Sequence, residues 1–273
     1  MDVNATAALP MYDLAEVRRL TDDWWRGLTR HLEANGLNDV PHSLSRPDDV
    51  SRLWRSPGLL FSQTCGYPYV KGLREWVRLV ATPAYTARGC VGARYCALII
   101  VQANQTATRL ADLEGVRVAV NGFDSHSGWN AFRAAMASVV PSPELGVPIV
   151  AGAHRASLAM VRGGEADVCS IDCVTYGLIE RYASDETEGT RVLAETPHAP
   201  GLPYVTSRTV PADTLSRLRD GVAAAFADPN LSTVRDGLLL DDFEVLDDRD
   251  YAEITALEAK WATNKQSLSP SFQ

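Results

Sequence analysis

Val116-Arg-Val-Ala-Val-Asn-Gly-Phe-Asp-Ser-His-Ser-Gly-Trp-Asn130 is a short apolar run, a polar glycine-bearing turn and the opening of a helix. Val116, Val118 and Val120 alternate within a nearly all-apolar segment, the pattern of a buried strand. Asn121 and Gly122 break that run. Asp124 or Ser125 can cap the helix that follows, which carries Trp129, Phe132, Met136 and Val139 along one stripe. The first N–H groups of such a helix have no internal partner and sit at the positive end of its dipole. Ser125, His126, Ser127 and Gly128 therefore put three side-chain donors and a bare backbone at a ready anion site. An ordinary cap needs one Ser or Asp, so this turn reads as the place where a small ligand's anionic group is held.

On either side the chain alternates strand and helix. Residues 7–12 read as a strand, and Asp13 with Glu16 makes a capping box for a helix through Val17, Trp24, Leu28 and Leu32. Further strands fall at 58–64, 76–82, 94–102, 149–152, 166–171, 191–194 and 204–206. The segment 211–227 is amphipathic, with Leu215, Leu218, Val222 and Phe226 on one face. This alternation predicts an α/β fold of two lobes, with mixed, mainly parallel sheets flanked by helices. Residues 94–102 and 197–204 read as crossings. The expected division is a discontinuous outer lobe, 1–94 and 203–273, around an inner lobe, 95–202.

Composition narrows the function. The 273 residues carry a net charge of −8, which argues against a general nucleic-acid or anionic-membrane surface. An acidic surface does not exclude an anionic ligand, because local donors decide that. No apolar run approaches the ~20 residues of a membrane span. Met1–Pro10 has no basic n-region and no long apolar core, so it is not a signal peptide as written. That leaves the periplasm, with a leader removed, or the cytoplasm.

Of five cysteines, Cys96 and Cys169 lie in apolar runs and read as buried small hydrophobes. Cys65 and Cys90 lie in turns after strands, either free or joined by a disulfide that would imply an oxidising compartment. No cysteine pair has zinc-like spacing with a histidine, and no metal or cofactor is expected.

Four motifs together resemble a known family. They are Tyr95 opening a strand, followed by Ala111-Asp-Leu-Glu-Gly-Val-Arg-Val-Ala119; Ser125-His-Ser-Gly128; Gly152-Ala-His154; and Gly163-Gly-Glu-Ala-Asp-Val-Cys-Ser-Ile-Asp172. Their order is similar to that of the phosphate/phosphite/phosphonate solute-binding proteins of the type II periplasmic-binding-protein fold. His126 departs from the family, which has a threonine there. The segment 59–66 also lacks the family's aspartate and Gly-Pro.

The resemblance implies a solute-binding protein of an ABC-type uptake system. Two lobes would close by a hinge on a small anionic or zwitterionic, phosphonate-like ligand, which is then handed to a permease. It makes His154 an anion donor, where the residues alone allow a half-exposed cap. Asp172 either caps its helix or takes an ammonium or hydroxyl group at the carboxyl end of a strand. Tyr95 is a cross-lobe hydroxyl donor or an interface tyrosine. Thr64, Tyr67 and Tyr12, in turns after outer-lobe strands, complete the candidate set.

The alternative is a cytoplasmic enzyme of cofactor biosynthesis on the same fold, with Ser125, His126 and Asp172 mustered as a triad. Adjacent Ser and His side chains at a helix start point apart. Phe123 also stands where a Gly-x-Ser-x-Gly elbow needs its first glycine. Binding without catalysis is the expectation.

Overall fold

Strand Ala97–Gln102 is apolar on both faces, and Leu98 to Val101 are at most 1% exposed. A strand so built needs cover on both sides, and helices supply it. The computed structural model describes residues 5–140, 143 and 145–266, with side chains to Trp261. The chain forms two units. The first comprises Met1–Thr86, Val91–Ala93 and Pro200–Asp250, and the second Ala87–Cys90, Arg94–Ala199 and Tyr251–Gln273.

In the first unit, five strands pair in the order Thr6–Ala8, Leu59–Gln63, Tyr204–Ser207, Val77–Tyr85 and Leu240–Glu244. Only the first pairing is parallel. Helix Arg18–Ala34 covers this sheet with Trp24, Trp25, Leu28 and Leu32, each at most 1% exposed. Burying each of the two leucines is worth about 1.5–3 kcal/mol. The Trp25 and Phe61 rings lie 5.6 Å apart, those of Phe61 and Tyr204 4.9 Å apart, and Trp24 Nε1 donates to the Tyr204 hydroxyl at 3.2 Å. The helix begins at Arg18 with no side-chain cap, so the expected Asp13–Glu16 capping box is not what starts it. Asp13 is taken instead by Arg46, whose Nε donates to it at 2.6 Å.

In the second unit the order is Thr190–Glu195, Ala97–Gln102, Val168–Asp172, Val118–Val120 and Ile149–Val150. The first two pairings are antiparallel and the last two parallel. Each of these five-stranded sheets is mixed, and antiparallel pairs are more frequent than strand–helix alternation alone suggests. A parallel pair needs a crossover connection, whereas strands such as Ala97–Gln102 and Tyr204–Ser207 follow a passage between units. Ile99, Val101, Leu113, Val118, Val120, Phe132, Met136 and Val168 make the core beneath the parallel half.

The C-terminal helix, Asp248–Gln266, departs from the expected lobe division. From Tyr251 it belongs to the second unit, not with 203–250. Tyr251 and Ile254 are fully buried, and Asn130 Nδ2 donates to the Ile254 carbonyl at 3.1 Å. Arg133 lies 4.1 Å from the centroid of the Trp261 ring. Such long-range anchors leave no local trace in the sequence.

Candidate functional site

Strands Val168–Asp172, Val118–Val120 and Ile149–Val150 are parallel neighbours, so their carboxyl ends leave the sheet at one edge. A helix starts just after each. Open α/β sheets bind ligands at this edge, and six of the ten expected residues sit in these three turns or at a helix start: Ser125, His126, Ser127, Gly128, His154 and Asp172. Tyr95 completes the second-unit set.

The helix after Val118–Val120 opens with a π turn, His126–Asn130, before the α-helix Ala131–Val139. The sequence pattern anticipates a plain α start. The wider turn is seen in the bond from Asn130 N to the Ser125 carbonyl at 3.1 Å. π turns of this kind often mark functional positions. Ser125 caps the turn, accepting from Gly128 N at 3.0 Å. A Cβ at Gly128 would stand 1.8 Å from Asn121 Oδ1, so any larger residue there has to displace the asparagine side chain or the turn.

Ser127 joins the turn to its neighbours. Its Oγ lies 3.0 Å from His154 Nε2, the first residue of helix His154–Arg162. Its carbonyl accepts from Ser170 Oγ at 2.6 Å. Asp172 caps helix Cys173–Tyr182, its Oδ1 accepting from Val174 N at 2.8 Å and Thr175 N at 3.1 Å. The capping reading of Asp172 therefore holds, and it is compatible with a ligand contact.

His126 is 2% exposed. Its Nδ1 accepts from Asn130 Nδ2 at 3.1 Å, which leaves the proton of the neutral ring on Nε2. That Nε2 is buried and has no hydrogen-bond partner. Burial pushes the His126 pKa down to about 4, so the ring is neutral at physiological pH. His154 is likewise pushed down to about 4 by burial, opposed by a hydrogen bond that its ring donates to the Ser170 backbone. The Tyr95 ring, 3% exposed, lies 6.1 Å from that of His126. The turn thus offers hydroxyl, imidazole and backbone donors without a net positive side chain among them. An unclaimed buried N–H is costly unless something accepts from it.

The three first-unit candidates are described within that unit. Thr64 is fully buried and its Oγ1 donates to the Cys65 carbonyl at 3.3 Å. Tyr67 is 8% exposed, with Lys71 Nζ 5.7 Å from its ring centroid. Tyr12 meets Tyr85 edge-on, ring centroids 5.2 Å apart.

Sequence reasoning missed Ser170, Asn130 and Asn121. Ser170 had a signal, a hydroxyl within the apolar run Val168–Ile171. Asn130 stands four residues after His126, the spacing at which helical side chains meet. None of the five cysteines is in a disulfide. Of the two alternatives for Cys65 and Cys90, the structure has no disulfide between them, and Cys90 Sγ lies 3.4 Å from Cys173 Sγ. Among the described residues no group of three His, Cys, Asp or Glu is placed to hold a metal, and no helix is long and apolar enough to cross a membrane.

A family model described as "ABC transporter, phosphonate, periplasmic substrate-binding protein" matches residues 47–251. No curated protein sequence matches the chain. Solved structures share its fold at low identity. A binding-protein component of an ABC phosphonate transporter from Pseudomonas aeruginosa is 15% identical, with a TM-score of 0.72 over 98% of this chain and 90% of that one. A Prochlorococcus marinus protein in complex with methylphosphonate is 11% identical, with a TM-score of 0.71 over 94% and 98%. A Xanthomonas citri protein bound to ATP is 14% identical, with a TM-score of 0.69 over 98% and 100%.

Proposed function

The chain belongs to the phosphonate substrate-binding family of ABC transporters, and from that premise we propose that the 125–128 turn holds the ligand's anionic group. The protein serves as the substrate-binding component of a phosphonate-type uptake system. The turn's serine hydroxyls, the His126 Nε2–H and the His154 ring are the donors, and Asp172 meets a hydroxyl or ammonium group on the same ligand. Tyr95 supplies a further hydroxyl. Thr64, Tyr67 and Tyr12 are the first unit's candidate contributions. The periplasm is the compartment and a membrane permease the partner.

One observation carries this reading: a fully buried imidazole N–H without an acceptor, beside a capped helix start at the carboxyl edge of a parallel sheet. A phosphonate or phosphate oxygen would satisfy it. The enzyme alternative gains no support. Ser125 Oγ is committed to Gly128 N, His126 Nδ1 to Asn130, and Asp172 Oδ1 to two helix amides.

The test is a calorimetric titration of the purified protein with methylphosphonate and with inorganic phosphate, run in parallel with a phosphorus NMR assay for turnover. Saturable binding without turnover, weakened in His126→Phe, supports the reading. No binding of either compound, or undiminished binding in the variant, removes the turn from the site.

A further inference from the structure

Three sulfurs converge in the second unit where helix Cys173–Tyr182 begins. Cys90 Sγ lies 3.4 Å from Cys173 Sγ, and Cys173 N donates to the Cys96 carbonyl at 3.2 Å. Gly89 makes this convergence possible. It sits at φ +89°, and a Cβ there would stand 2.6 Å from Cys96 Sγ and 3.3 Å from Cys173 Cβ. A bond from Cys96 N to the Gly89 carbonyl at 3.0 Å holds the segment down. Cys96 and Cys173 are 2% and 1% exposed, whereas Cys90 is half-buried and within reach of a reagent.

We propose that Cys90 and Cys173 are a redox pair that closes to a disulfide, with Cys96 packed beside them as a buried thiol. The two sulfurs need to approach by a further ~1.4 Å to reach bonding distance of about 2.05 Å. The oxidant is an organic disulfide. The Cys90 thiolate attacks one of its sulfurs, forming a mixed disulfide and releasing one thiolate. The Cys173 thiolate then attacks Cys90 Sγ and releases the second. The two cysteines lose two protons and two electrons, and one disulfide is reduced to two thiols.

The bond would tie the 87–90 segment to the residue that follows Asp172. Residue 90 is also where the chain passes to the first unit. The pair stands on sulfur geometry alone, so a failed ligand titration would leave it untouched.

Trypsin makes the test direct, because Arg88 and Arg94 release Cys90 in the peptide Gly89–Arg94, apart from Cys96 in Tyr95–Arg109. Purified full-length protein is incubated with oxidised glutathione, free thiols are blocked with N-ethylmaleimide, and the protein is digested without reductant. The expected product is Gly89–Arg94 joined through Cys173 to Gly163–Arg181, with fragmentation excluding Cys169. It disappears in Cys90→Ala and persists in Cys65→Ala. Oxidation raises the melting temperature by roughly 5–10 °C, reversed by reductant. Recovery of Gly89–Arg94 alkylated at Cys90, or a link from Cys173 to Cys96, overturns the proposal. The wild-type digest decides the matter even if a variant fails to fold.

Discussion

Ser127 and His154, from two different helix starts, are joined at 3.0 Å between Oγ and Nε2. The contact couples two of the three turns at the sheet edge, so neither is free to adjust without the other. The same hydroxyl is a proposed ligand donor, so it has both a structural partner and a binding role. Which role dominates can be measured.

Ser127→Ala leaves a half-buried imidazole nitrogen of His154 without its partner. The cost is about 1–3 kcal/mol of stability, the usual penalty for orphaning a buried polar group. Loss of a hydrogen bond to a charged ligand weakens affinity by roughly ten- to a hundredfold. Urea denaturation and titration with methylphosphonate separate the two effects. Unchanged affinity with reduced stability would make Ser127 a scaffold residue only.

Gly128 and Asn121 form a second coupled pair. A methyl group at 128 would meet Asn121 Oδ1 at 1.8 Å, so Gly128→Ala must displace the asparagine or the turn. Destabilisation of about 1–3 kcal/mol is expected from such overpacking. Gly128→Ala with Asn121→Gly should cost clearly less than the two single changes added together. Strict additivity of the measured unfolding energies would show that the clash is relieved in another way.

The buried histidines make stability depend on pH. Their folded pKa values, about 4, lie below the ordinary value of 6.5. In that window the unfolded chain binds more protons than the folded one, so stability rises with pH. The contribution is complete above pH 6.5, falls as the pH drops toward 4, and changes no further below that. Each ring accounts for roughly 3 kcal/mol across the window. Denaturation curves between pH 4 and 7 should show the slope, and His126→Gln should remove about half of it. An unaltered slope in the variant would assign the effect elsewhere.

Much of this architecture was legible locally. Val118–Val120, the break at Asn121-Gly122 and the cap at Ser125 are encoded within a dozen residues, and the helix starts at His154 and Asp172 follow short apolar strands in the same way. What the sequence hid depends on partners far along the chain. Asp13 looks like a helix cap until Arg46 takes it. Cys90 looks like a partner for Cys65 until the Gly89 turn sets it against Cys173. The π turn was hidden for another reason: Trp129, Phe132 and Met136 fit an α stripe, and one inserted residue of pitch leaves that stripe nearly intact. His126 was visible as the odd residue of its turn, but its unclaimed Nε2 depends on Asn130.

From Tyr251 the C-terminal helix joins the second unit, and its docking is testable. Asn130 Nδ2 bridges His126 Nδ1 and the Ile254 carbonyl, so the helix is bonded to the residue that orients the imidazole. Arg133, one turn on, lies over Trp261 at 4.1 Å and Trp129 at 4.8 Å. A cation over an aromatic face contributes about 0.5–2 kcal/mol. Arg133→Ala should therefore loosen the helix locally, speeding amide exchange at 255–261 while strand Ala97–Gln102 stays protected. Asn130→Ala should do the same and, in addition, free the His126 ring and weaken methylphosphonate binding. If both variants exchange faster and only Asn130→Ala loses affinity, the helix reaches the site through the asparagine and not through the stacked arginine. Equal losses of affinity would mean that helix docking as a whole supports the turn.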